Sequence, residues 1–141
     1  MNDSYYKDHW LDIEPDRLDR YEAMFKWSLT AERVLAPADV GPGQTIADFG
    51  CGPGYAAVEL AKRVGAGGHV HALDINAEFV ARTRARAESE GLSDRVTVHQ
   101  LTDGTLPLED NMLDRLVTKN VMVYVDDPAA SIAEFYRVVK P

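Results

Sequence analysis

Three alternating glycines, Gly50, Gly52 and Gly54, lie between two carboxylates, Asp48 and Asp74. Glycine has no Cβ and takes positive φ without strain, so a turn built this way brings backbone N–H groups close to a ligand. Asp48 closes an apolar run that begins near Ile46, and Asp74 closes a second run through Ala72-Leu73. An acid 20 residues after Gly54 can accept hydrogen bonds from both hydroxyls of a ribose. That chemistry suits a nucleoside-containing cofactor. A dinucleotide site reads G-x-G-x-x-G and would need glycine at position 55, where this chain has Tyr55. Asp48, two residues before the first glycine, would also repel a pyrophosphate and would attract an ammonium.

To bring these groups together, the chain needs parallel strands whose C-terminal ends share one edge of a sheet. The pattern predicts strands over 44–49, 69–74, 95–100 and 113–118, with helices over 55–64 and 128–139. A further helix is capped by Asn76 and runs to about 90. On that helix Arg84/Glu88 and Arg86/Glu90 are i,i+4 opposite-charge pairs on a solvated face. Strand and helix alternate, which implies right-handed crossovers in a parallel sheet, with ligands at the C-terminal strand ends. Asp48, Gly50, Asp74, Asp103 and Asn120 all fall there. Residues 1–14 read as an arm or short helix carrying Tyr5, Tyr6, His9 and Trp10. Pro15 opens one helix in which Leu18, Tyr21, Met24/Phe25, Ser28, Ala31 and Leu35 recur at helical spacing. Its aromatics are expected to pack in the core.

The blocks Ala47-Asp48-Phe49-Gly50-Cys51-Gly52-Pro53-Gly54 and Ala72-Leu73-Asp74-Ile75-Asn76 are followed in order by Asp103-Gly104-Thr105-Leu106-Pro107 and Asn120-Val121-Met122-Val123-Tyr124, then by Glu134-Phe135-Tyr136-Arg137-Val138-Val139-Lys140-Pro141. From about residue 44 to the end, the chain resembles the class I S-adenosylmethionine (SAM)-dependent methyltransferases, in the small-molecule group that includes ubiquinone/menaquinone-type enzymes. The resemblance implies an α/β, Rossmann-like parallel sheet flanked by helices. The sheet is incomplete here, with about four of the family's seven strands (order 3-2-1-4-5-7-6). Residues 1–43 would be an arm and helix covering the cofactor site, and 44–141 a SAM-binding core.

The resemblance further implies methyl transfer from SAM to an O, N or C atom, leaving S-adenosylhomocysteine. The cofactor residues it implies are Asp48, Gly50, Cys51, Gly52, Gly54, Asp74, Ile75, Asp103, Gly104 and Asn120, with Asp103 near the adenine amino group. Tyr124 is the implied residue facing the methyl group. Tyr5, Tyr6 and His9 are candidates to close the acceptor side. Lys119-Asn120-Val121-Met122 is not the Asn/Asp-Pro-Pro-aromatic signature of amino-methylating nucleic-acid enzymes, so a small-molecule acceptor is expected. Two alternatives stay open: a non-catalytic SAM-binding portion of a longer enzyme and, with less support, an NAD-dependent oxidoreductase.

Composition narrows the classes. The 141 residues carry a net charge of −8, with 45% apolar and 27% charged residues. An acidic chain lacks the cationic surface that phosphate backbones require, so no nucleic-acid partner is expected. No apolar run reaches membrane-spanning length, so no membrane is expected either. The single cysteine, Cys51, fits a reducing compartment, and the cytoplasm is the expected location. His69 and His71 share a strand face without cysteine or carboxylate partners. They read as structural, and no metal is expected. The chain reads as the N-terminal part of a longer enzyme, and its fourth strand, left as a sheet edge, invites a homodimer or an element swap.

Overall fold

The computed structural model of the chain describes residues 4–141, with side chains from Asp8 onward. Ten helices and strands follow one another: α1 (Ser4–Leu11), α2 (Pro15–Met24), α3 (Leu29–Leu35), β1 (Thr45–Phe49), α4 (Tyr55–Val64), β2 (His69–Asp74), α5 (Ala77–Ser89), β3 (Val96–Gln100), β4 (Arg115–Thr118) and α6 (Pro128–Val138). The four strands form one parallel sheet in the order β3-β2-β1-β4. The α/β class, the parallel sheet and the strand order expected from the sequence are all present.

Strand parity explains the two layers. Ile46, Val70, Ala72, Val96 and Val98 point to one face and pack with Val58, Leu60 and Ala61 of α4 and Val80 and Ala87 of α5. Ala47, Phe49 and Leu73 point to the other face, where Leu113, Val138 and Phe135 cover them. The Phe49 and Phe135 rings meet edge to face, with centroids 4.9 Å apart. β1 and β2 are buried along almost their whole length, as expected of parallel strands covered on both faces.

Two expectations are corrected. The segment from Pro15 to Leu35 is two helices rather than one. Ser28, expected on the packing face, is instead the N-cap of α3, its Oγ accepting from the Ala31 N–H at 3.2 Å. A serine with a free β-region backbone offers this bond more readily than a helix interior would. The fourth strand is also shorter than the expected 113–118. Leu113 lies outside β4 and pairs in parallel with Val139, and Lys140 donates its backbone N–H to the Leu113 carbonyl at 2.9 Å. The start of that edge is therefore occupied, and the strand itself is four residues long with Arg115 exposed.

Candidate functional site

Above the C-terminal ends of the strands lies a cavity of about 720 Å³. Its floor is the turn between β1 and α4. Gly50, Gly52 and Gly54 all have positive φ. A Cβ on Gly50 would lie 2.3 Å from a Val121 methyl carbon, so the segment after β4 can settle against the turn only because position 50 is bare. A Cβ on Gly54 would lie 2.8 Å from Thr83 Oγ1. Gly54 thus serves the packing of α5 against the turn and does not line the cavity.

Asp74 anchors the turn from the neighbouring strand. Its Oδ2 accepts from the Gly52 N–H at 2.8 Å and its Oδ1 from the Asn76 N–H at 2.9 Å. The Ile75 N–H also acts on this carboxylate, and its four lone-pair sites exceed these three donors, which leaves room for a ligand. Burial pushes the Asp74 carboxyl up, and these backbone donors act against that push. Asp48 is buried too, but its Oδ2 has no hydrogen-bond partner among the described residues. Burial, and then the charge of Asp74, raise its pKa to about 7, with Lys119 acting in the opposite direction. A buried carboxylate oxygen without a partner costs free energy unless a ligand supplies one.

The cavity brings together Asp48, Gly50, Cys51, Gly52, Asp74, Ile75, Asp103, Gly104, Asn120 and Tyr124. Of the cofactor set named from the sequence, only Gly54 is absent from the lining. Asp103 is exposed at the rim, where its Oδ1 accepts from the Thr105 N–H at 2.8 Å and holds the loop in a turn. Asn120 takes a left-handed backbone at φ 58°, which its short polar side chain tolerates. Cys51 is buried, and burial together with Asp74 and Asp48 drives its thiol well above the ordinary range. A thiol held neutral in this way is no nucleophile.

The aromatic wall comes from the N-terminal segment. Trp10, Phe25 and Trp27 line the cavity, and Trp10 lies 5.2 Å from Tyr124 between ring centroids. Trp10 Nε1 is buried without a hydrogen-bond partner among the described residues. His9, expected on the acceptor side, does not line the cavity. Its ring nitrogens are engaged by Tyr21 Oη at 2.8 Å and Arg17 at 3.1 Å. The side chains of Tyr5 and Tyr6 lie outside the described residues. The remaining charged lining residues are Asp126, Asp127, Glu134 and Lys119, so acids predominate.

Two residues escaped the sequence reading. Thr83 is fully buried on α5, and its Oγ1 donates to the Gly52 carbonyl at 2.9 Å, fixing the turn from behind. The one signal for it is a hydroxyl on the buried stripe Phe79, Val80, Thr83, Ala87. Asn76 was named only as a cap. Its Oδ1 accepts from the Phe79 N–H at 2.9 Å, and its Nδ2 donates to the Trp10 carbonyl at 2.9 Å, tying α1 to the end of β2.

Among known proteins, a family profile described as a methyltransferase domain matches residues 46–141. A 37.1 kDa protein of transposon TN4556 from Streptomyces fradiae is 39% identical over 108 residues, which is 77% of this chain and 30% of that protein. A 2-phytyl-1,4-naphtoquinone methyltransferase from Trichormus variabilis is 29% identical over 126 residues, 89% of this chain and 55% of that enzyme. The solved structure of a SAM-dependent methyltransferase from Aquifex aeolicus superposes with a TM-score of 0.78 at 26% identity, covering 92% of this chain and 69% of that one. The chain therefore spans 30% and 55% of the lengths of these two curated relatives.

Proposed function

The chain belongs to the class I SAM-dependent methyltransferase family, whose cofactor is SAM, and from that premise we propose that its cavity holds SAM and that the protein methylates a small, largely apolar acceptor. The observation that carries this reading is Asp48 Oδ2, buried beside the glycine turn with no partner among the described residues. An amino-acid ammonium placed there would satisfy it. Asp74, whose acceptor capacity exceeds its backbone donors, would take the ribose hydroxyls. Ile75 and Asp103 would flank the adenine, with Asp103 accepting from its amino group. The residues present fit the cofactor. Tyr55 in place of a third dinucleotide glycine, and an acid at 48, speak against NAD.

Bound SAM supplies a methyl group already activated on a sulfonium. The protein's task is then alignment and exclusion of water more than acid–base chemistry. Gly50 and Gly52 let the backbone approach the cofactor. Asp48 would hold its amino-acid end and Asp74 its ribose. Tyr124 and Trp10 form the wall against which an acceptor would lie, and we assign Tyr124 to orienting it. The lining argues for the class of acceptor. Aromatic rings supply apolar area, and acids outnumber the single lysine. A neutral or cationic molecule fits this field, and a phosphate or carboxylate does not. The assignment of the methyltransferase to the cytoplasm rests on the lone cysteine. No helix among the described residues is long and apolar enough to cross a membrane. Pairing of two copies through the free part of the β4 edge remains part of the proposal. It is read by light scattering, where a monomer at tens of micromolar would remove it.

The cofactor assignment is tested with two ligands that differ in the ammonium. S-adenosylhomocysteine has an amino-acid tail, and 5′-methylthioadenosine lacks it. An Asp48→Asn variant is expected to lose about tenfold or more in affinity for the first, roughly 1.4 kcal/mol, and to keep its affinity for the second. Equal loss for both ligands, or no loss for either, would remove Asp48 from the role given to it. Turnover is measured separately, as transfer of labelled methyl to candidate acceptors. Binding without transfer to any of them would favour a non-catalytic, cofactor-binding role.

A further inference from the structure

A cofactor with an amino-acid tail brings a carboxylate as well as an ammonium. Asp48 and Asp74 offer that carboxylate only repulsion. Among the described residues that line the cavity, Lys119 is the only lysine or arginine, and no histidine joins it. Lys119 stands one residue beyond β4. Before it, Val117 and Thr118 pair with Asp48 and Phe49 of β1. After it, Asn120 turns the backbone left-handed and Val121 settles against Gly50. The backbone at 119 is thus pinned between the end of β1 and the glycine turn. Its side chain is exposed, and no ion pair or hydrogen bond among the described residues engages its ammonium. Its charge nevertheless reaches Asp48, where it opposes the burial that raises that carboxyl.

We propose that Lys119 holds the α-carboxylate of the cofactor's amino-acid tail, so that Asp48 and Lys119 grip the two charges of one zwitterion. The inference rests on the cofactor assignment above. The tail carries both charges on one carbon, so their partners must stand side by side. Lys119 meets that condition, two residues beyond Val117, the strand partner of Asp48. A carboxylate set among Asp48, Asp74 and the acids of the rim is unfavourable without a cation, and Lys119 supplies one. An ammonium on a flexible stem can follow the tail into place. The same pairing engages the only lysine of the lining. The acceptor is then left facing rings and carboxylates, which sharpens the exclusion of anionic acceptors.

The test is calorimetric titration of wild type and Lys119→Gln with two ligands. One is S-adenosylhomocysteine. The other is its decarboxylated analogue, which keeps the ammonium and lacks the carboxylate. The second ligand is needed because Lys119 also helps to keep Asp48 ionised. Lys119→Gln is expected to weaken S-adenosylhomocysteine about tenfold, and to leave the analogue unchanged or bound more tightly. Lys119→Arg should keep most of the affinity for both. The melting temperature of Lys119→Gln should match wild type, since the side chain is exposed. Equal loss for both ligands would place the effect on the ionisation of Asp48, and no loss for either would leave the carboxylate to backbone N–H groups. Either result would overturn the proposal while wild type still bound S-adenosylhomocysteine. No binding of that ligand to wild type would remove the cofactor assignment and this proposal together.

Discussion

Asp48 is expected to make cofactor binding depend on pH. In the free protein its carboxyl sits at about 7 instead of 3.8. The folded state thus holds this proton more tightly than the unfolded state. Its stabilising effect is complete below pH 3.8 and is lost as pH rises towards 7. A bound ammonium would reverse the preference by pairing with the ionised form. Affinity for S-adenosylhomocysteine is therefore expected to rise between pH 6 and 8 and to release a fraction of a proton near pH 6.5. Calorimetry in buffers of different ionisation enthalpy reads that proton, and Asp48→Asn should remove both the slope and the release. At the same scale, Thr83→Val would leave the Gly52 carbonyl without its buried donor. It should cost about 1–3 kcal/mol of stability, seen in denaturant unfolding, and loosen the turn enough to weaken the cofactor severalfold. The placement of Asp48, Asp74 and the glycines at the C-terminal strand ends was legible in the sequence because it depends on local spacing. Thr83 and Trp10 were not, because each acts on a partner far away in sequence.

The helices show where local patterns run out. Apolar residues at helical spacing continued from Leu18 to Leu35, and the break at 25–28 was hidden inside that rhythm. The break gives the site its aromatic wall, because it carries Phe25 and Trp27 to the cavity. Contacts specific to the fold hold this cap in place. Glu22 pairs with both Arg82 and Arg86, which the sequence placed on a solvated face, and Arg86 lies over the Tyr55 ring at 3.6 Å. Asn76→Ser should keep the cap of α5 and lose the bond to the Trp10 carbonyl. Hydrogen exchange is expected to quicken in the amides of 8–12 while those of α5 stay protected. At the other side, Arg137 donates to the carbonyls of Leu106 and Leu108 and to Glu134, and so fixes the loop that presents Asp103. Its hydrogen bond holds the Glu134 carboxyl down at about 2. That support should persist to about pH 4.5 and fade as pH falls towards 2. Arg137→Met is expected to lower the melting temperature by a few degrees and to weaken binding of the adenosyl group.

For the molecule as a whole, the order β3-β2-β1-β4 places the two acids at the ends of adjacent strands, with the turn between them. The alternation of strands and helices was legible because buried parallel strands and amphipathic helices leave different periods in the sequence. The state of the β4 edge was not. It depends on whether the few residues after α6 return to pair, and Val139 does so with Leu113. The claim on which the account rests is a cavity shaped for an adenosyl amino acid, with Asp74 reading the ribose. The most direct test is calorimetric titration of the chain with S-adenosylhomocysteine, with NAD as control and Asp74→Asn alongside. Micromolar binding of the first ligand alone is expected, weakened about tenfold or more in the variant. Tighter binding of NAD, no binding of S-adenosylhomocysteine, or unchanged affinity in Asp74→Asn would contradict it.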